Sequence, residues 1–222
     1  MESGTQLCKQ AAVGAKTPPV GPLGRGGDKQ SRRRFFAHAG GGIALALTSL
    51  WGQDVGEEDL LRLLESGKRI EIGANGPKMI EEAYRIGYEY EKRFGGCARC
   101  TVAALQDAID FIPINTDVFS AAICLDGGAT PAGIQNCGAF TGSGIILGYL
   151  CGRGRKRFEG GAHNPHRLIR KVYEKFKEEY GTVLCRDVRK SMEEHGDKCP
   201  VVVGRAARWA AEAILREFTD YS

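Results

Sequence analysis

Eight cysteines stand out in a chain of 222 residues: Cys8, Cys97, Cys100, Cys124, Cys137, Cys151, Cys185 and Cys199. They are too sparse for a small disulfide scaffold, and a chain with 42% apolar residues has a core that needs no covalent staples. Chemistry is the better explanation, and their local settings divide them. Cys97 follows Gly95-Gly96, Cys137 follows Asn136, Cys185 opens a short helical pattern, and Cys199 precedes Pro200, a residue favoured in the first helical turn. All four are placed at expected helix N-termini, where free N–H groups and the helix dipole favour a thiolate. Cys124 and Cys151 fall at helix C-terminal ends, which disfavour thiolate, and are expected to be structural.

Two chemistries follow from four such thiols. Converging, they could ligate an iron–sulfur cluster, whose usual protein ligands are four cysteines. Equally, they could form dithiol/disulfide pairs that pass electrons two at a time. Buried cysteines at helix starts with no chemistry, in a structural or docking subunit, are the third reading. The separations along the chain are long and irregular and do not choose among the three. Cys97-Ala-Arg-Cys100 makes Cys100 an additional candidate redox thiol, although the βαβ setting of a thioredoxin is missing. Thr101 stands where a c-type haem motif needs histidine, and no other Cys-x-x-Cys-His occurs, so no c-type haem is expected. His163, His166 and His195 are weak candidates for metal ligands, since loop histidines are more often solvated. The basic run Arg153, Arg155, Lys156, Arg157 could face an acidic redox protein partner.

The elements that must position these thiols read as helices. Leu60, Leu61, Leu63 and Leu64 pattern a short helix over 57–66. Asn75-Gly76-Pro77 opens a longer one with Ile80, Ala83, Tyr84, Gly87 and Tyr90 inward. A third is expected from Cys97 to Phe111, and a short apolar one from Asp117 to Leu125, ended by Gly127-Gly128. Residues 137–151 are apolar or small on all sides, the mark of a buried central helix, with Gly138/Gly142 and Gly144/Gly148 spaced for close backbone approach. Asn164-Pro165 starts another, with Leu168, Ile169, Val172, Tyr173 and Phe176 inward. Helices from Cys185 and from Cys199 complete the chain, the last with Val202, Ala206, Trp209, Ala210 and Leu215 inward. Strand alternation is nowhere sustained. The fold class is all-α, a helical bundle around a glycine-rich central helix.

Charge separates the first fifty residues from the rest. They hold Lys9, Lys16, Arg25, Lys29, Arg32, Arg33 and Arg34 against Glu2 and Asp28, a balance of +5 that leaves −1 of the overall +4 for the remainder. A near-neutral body argues against nucleic acid as a partner. Residues 1–52 read as a leader: a Gly- and Pro-rich start expected to be disordered, then Ser31-Arg32-Arg33-Arg34-Phe35-Phe36 and a modest apolar run. This resembles a twin-arginine export signal and predicts a periplasmic or other extracytoplasmic location, with cleavage near 49–53. The run is too short and too diluted by glycine for a stable membrane span, and Cys8 precedes it. Residues 53–222 are expected to be the helical redox domain.

At its cysteines the chain resembles the redox-active family named C-GCAxxG-C-C. The matching residues are Cys97 in Gly-Gly-Cys-Ala, Cys137 in Asn-Cys-Gly-Ala-Phe-Thr-Gly, Cys185 in Val-Leu-Cys-Arg-Asp and Cys199 in Lys-Cys-Pro. The central motif departs from the name, with Asn136 before its cysteine and Gly138 after it. With the export signal in front, the chain is most similar to the split-Soret cytochrome c branch. That resemblance implies a helical homodimer and an electron-transfer protein with a cysteine-bound redox centre. It carries iron–sulfur ligation onto Cys97, Cys137, Cys185 and Cys199, without haem.

Overall fold

The computed structural model describes residues 57–129, 133–152, 163–194 and 196–222. The leader with its twin-arginine run, the basic run 153–157 and His195 lie outside the described residues. Eight α-helices and no strand occupy the described chain: α1 (Glu57–Glu65), α2 (Gly76–Phe94), α3 (Cys97–Ala108), α4 (Thr116–Ala122), α5 (Gly138–Leu150), α6 (Pro165–Tyr180), α7 (Cys185–Glu194) and α8 (Cys199–Phe218). The all-α expectation holds. None of these helices is long and apolar enough to cross a membrane.

Local signals set most boundaries. Pro77, Pro165 and Pro200 lie in first turns, where a missing N–H costs nothing. Asn115 and Asn164 cap α4 and α6, each side-chain oxygen accepting from two backbone N–H groups at 2.9–3.3 Å. Gly95 and Gly181 end α2 and α6 with positive φ.

Two boundaries differ from the sequence expectation. The helix from Cys97 stops at Ala108, not Phe111, because Ile109 is extended and Pro113 keeps its predecessor out of helical geometry. The helix expected over 117–125 starts at Thr116, behind the Asn115 cap, and ends at Ala122. There it tightens into a 3₁₀ segment, Ile123–Gly128, that kinks at Asp126 (ψ 145°). Cys124 is consequently exposed rather than packed at a helix end, whereas Cys151 is buried as expected.

Helix α8 is the core's axis, burying Val202, Val203, Ala206, Ala207, Ala210, Ala211, Ile214, Leu215 and Phe218. Its small side chains let α2 lie close along it. Helix α5 packs against α3, α6 and α8. Phe140 meets Phe176, and Phe176 meets Trp209, edge to face at 5.6 and 5.4 Å, joining α5, α6 and α8. The glycines of α5 behave unequally. A Cβ on Gly142 would collide with the Ala98 carbonyl of α3, whereas one on Gly148 would meet open space. Only the Gly138/Gly142 face is therefore a close-approach surface, and the helix is buried on that side, not all round.

Two isolated bridges tie distant segments together. Ile70 pairs with Thr219, through Ile70 N–H to the Phe218 carbonyl (2.8 Å) and Asp220 N–H to the Ile70 carbonyl (3.0 Å). Asn136 pairs with Leu184, and that bridge builds the site.

Candidate functional site

The Asn136–Leu184 bridge sets two helix starts side by side. The Cys137 amide donates to the Val183 carbonyl at 2.7 Å, and the Cys185 amide donates to the Gln135 carbonyl at 2.8 Å. Each cysteine thus spends its backbone N–H on the strand-like residue two positions before the other. Two donors left over at helix N-termini are satisfied in this way. A Cβ on Gly128 would stand 2.7 Å from the Cβ of Cys185, so the 3₁₀ segment closes over the same place.

Helix α5 then brings Cys137 to Cys97. The sulfurs of Cys97 and Cys137 share a hydrogen bond, and Gly127 N–H donates to Cys97 Sγ at 3.4 Å. Gly138 is what permits the approach, because any Cβ there would fall on Cys97 Sγ. Cys185 lies in the electrostatic field of Cys137, and Cys199 in the fields of Cys97 and Cys185. The four cysteines at helix starts, separated by long stretches of chain, therefore gather in one region. All the described cysteines are free thiols.

Their acidities do not follow helix position alone. The hydrogen bond from Cys137 and that from Gly127 N–H hold Cys97 below the ordinary thiol range, against burial and the nearby Glu91 and Asp126 carboxylates. Cys137, the donor, is held well above it by the same bond to Cys97 and by burial. Burial pushes Cys199 up to about 11, and Cys100 to about 12, the latter helped by Glu91. A helix N-terminus is worth about 0.3–1 kcal/mol to an anion, less than the several kcal/mol that burying an unpaired charge costs. The sequence expectation of dipole-activated thiolates is thus corrected at Cys137 and Cys199, while Cys97 is acidified by another cysteine.

Residues not singled out by sequence complete the site. Asp126 Oδ1 accepts from Ala98 N–H (2.8 Å) and Arg99 N–H (3.3 Å), so a carboxylate already occupies the N-terminus of α3. Arg99 lies 3.6 Å from the other Asp126 oxygen. Arg189 donates to Cys185 Sγ at 3.4 Å, one turn along α7. Cys100 turns toward the Gly95 carbonyl (3.2 Å) and the Glu91 carboxylate, and its described hydrogen bonds do not reach Cys97. Glu91 was detectable in principle: Ala83, Gly87 and Glu91 repeat at four residues, which puts a carboxylate on the apolar stripe of α2.

The two described histidines lie away from the cysteines. Both ring nitrogens of His163 are engaged, Nδ1 with Glu217 at 2.9 Å and Nε2 with the Leu64 carbonyl at 3.0 Å. His166 is exposed on α6. Among the described residues, no three His, Cys, Asp or Glu side chains stand close enough together to hold a metal ion. In this arrangement the four cysteines do not fit an iron–sulfur cluster without moving.

Residues 96–213 match the family described as "Putative redox-active protein (C_GCAxxG_C_C)". No curated protein and no solved structure matches the chain.

Proposed function

The chain belongs to the C_GCAxxG_C_C family of redox-active proteins, and on that premise we propose that it transfers electrons through a reversible dithiol/disulfide couple of Cys97 and Cys137. The single observation that carries this reading is the close approach of the two thiols, with a Cβ on Gly138, the residue after Cys137, falling on Cys97 Sγ. It supplies what disulfide formation needs: one sulfur acidified as nucleophile, the other in contact and still protonated.

The step balances with a disulfide-bearing partner protein as oxidant. The Cys97 thiolate and Cys137 thiol join through a new S–S bond, the Cys137 proton leaves, and two electrons pass to the partner. There the partner's S–S bond breaks, and its two sulfurs take the Cys137 proton and one from solvent. Arg189 beside Cys185 and the amide of Gly127 beside Cys97 stabilise negative charge on sulfur as electrons arrive.

A second reading has a specific observation behind it. The placing of Cys97, Cys137, Cys185 and Cys199 in one region favours an iron–sulfur cluster on those four residues, which would need more than one of the side chains to move inward. The Arg32-Arg33-Arg34-Phe35-Phe36 run supports export by the twin-arginine route to an extracytoplasmic compartment, where a redox protein partner would meet it.

Anaerobic purification followed by iron and acid-labile sulfide assay, with thiol trapping and mass spectrometry on the same sample, separates the two readings. Metal-free protein whose Cys97 and Cys137 change state together is the expected result. Stoichiometric iron and sulfide with a visible charge-transfer spectrum would replace it by the second reading.

A further inference from the structure

Helix α2 lies against both α3 and α8, and Glu91 is the point at which its buried stripe reaches the cysteines. The Glu91 carboxylate accepts from the Cys100 thiol. Its Oε2 is buried with no hydrogen-bond partner among the described residues. Cys100 has a second acceptor in the Gly95 carbonyl at 3.2 Å, so one S–H proton is divided between two oxygens. The groups facing Glu91 are Cys97, Cys100 and Arg99 on α3, Cys199 at the start of α8, and Asp126 from the 3₁₀ segment. The one cation in that set, Arg99, is already held by the Gly95 carbonyl (3.3 and 3.2 Å) and by Asp126 (3.6 Å).

Reducing the centre adds negative charge to this region. A Cys97 thiolate would join the Asp126 and Glu91 carboxylates, with one shared guanidinium among them. Like charges at close range in a buried setting disfavour one another's ionised forms, and an orphaned carboxylate oxygen is the place where a proton costs least. We propose that Glu91 is a redox-linked proton site, binding a proton when the cysteine centre is reduced and releasing it on oxidation. The proposal rests on the Cys97–Cys137 reading above. Burial, with Asp126, already raises the Glu91 carboxyl against the Cys100 hydrogen bond and Arg99, which act the other way.

The balance closes on two electrons and two protons. A partner dithiol oxidised to its disulfide gives up both. The Cys97–Cys137 bond breaks, Cys137 takes one proton, Cys97 keeps its charge as thiolate, and Glu91 takes the second proton.

The test is redox equilibration of the full chain and of Glu91→Gln against a dithiothreitol buffer over a series of pH values, read by thiol trapping. Glutamine keeps the shape and removes the titration. At the acid end, where the wild-type carboxyl is protonated in both redox states, the two proteins should coincide. Towards the alkaline end the wild type's reduced form faces an ionised Glu91, so E91Q should be reduced about tenfold more readily, the effect of one unit of coupling. Parallel curves would overturn the role of Glu91 and leave the redox couple standing. A wild type with no reversible Cys97–Cys137 disulfide would sink the couple and this inference together. Should E91Q fold poorly, the wild-type reduced-minus-oxidised infrared difference spectrum decides: a protonated-carboxyl band must appear on reduction, and its absence overturns the assignment.

Discussion

Cys137 gives its thiol proton to a hydrogen bond with Cys97, and the two sulfurs come out with opposite acidities: Cys97 below the ordinary thiol range, Cys137 well above it. Neither position at a helix start explains this, since both residues hold one. What differs is the direction of the bond, since each sulfur also has a backbone amide beside it, Gly127 at Cys97 and Ala139 at Cys137.

Replacing Cys137 by Ala should therefore make Cys97 a weaker acid, its pKa rising towards the ordinary thiol value or past it, because burial and two carboxylates remain while the stabilising donor is gone. Thiolate absorbance in the ultraviolet, titrated on wild type and C137A, checks this. An acidic thiol transition that survives in C137A would show that another residue supplies it.

Two glycines on one helix make a stability contrast. A Cβ at Gly138 would strike Cys97 Sγ and lie 2.9 Å from the Leu125 carbonyl and 3.0 Å from the Ala98 amide, whereas one at Gly148 meets nothing within 4 Å. Gly138→Ala should cost about 1–3 kcal/mol as overpacking and separate the sulfur pair. Gly148→Ala should add about 0.5–1 kcal/mol by helix propensity. Urea unfolding of both variants measures the two signs.

Much of this site was readable in the chain, and the residues show where reading stopped. The Asn164, Gly95 and Gly181 signals marked helix ends because each satisfies backbone groups locally, whereas the Asn115 cap was missed. The four cysteines were recognisable at helix starts for the same reason. The Asn136–Leu184 bridge was not, since a single pair of residues carries no alternation to detect. Cys124 was misplaced because the turn after Ala122 tightens into 3₁₀ geometry, which no residue pattern announced. The dipole argument failed for Cys137 because its bond to Cys97 and its burial outweigh the helix start, and for Cys199 because burial does, both being properties of the assembled fold.

Far from the cysteines, Glu217 links α8 to α6. Its carboxylate meets His163 at 2.9 Å and Arg167 at 2.5 Å. Burial raises the carboxyl, but these two partners outweigh it and hold it below the usual range. A depressed carboxylate contributes stability that is present above the unfolded-state value and is lost as pH falls through the folded-state value. Glu217→Gln should thus be less stable than wild type at neutral pH, by about 1 kcal/mol for a charge-assisted bond partly open to solvent. The difference should shrink on acidification, and denaturation midpoints measured from neutral to acid pH would show a constant gap if the ion pair were irrelevant.

Asp126 does two jobs that substitution can separate. As a cap, its Oδ1 accepts from the amides of Ala98 and Arg99. As a charge, it raises Cys97, Cys100 and Glu91 by repulsion. Asp126→Asn keeps an acceptor for the amides and removes the charge, while Asp126→Ala removes both. D126A should lose about 1 kcal/mol, the usual cost of a missing cap, and D126N should lose less. Both variants should make Cys97 and Glu91 more acidic than in wild type, provided the fold at α3 is retained. Thermal unfolding reads the first effect and thiolate absorbance the second. If D126N matched D126A in stability, the Arg99 ion pair rather than the cap would be what Asp126 contributes. If Cys97 titrated identically in all three proteins, the carboxylate would be too well screened by Arg99 to act on the sulfur.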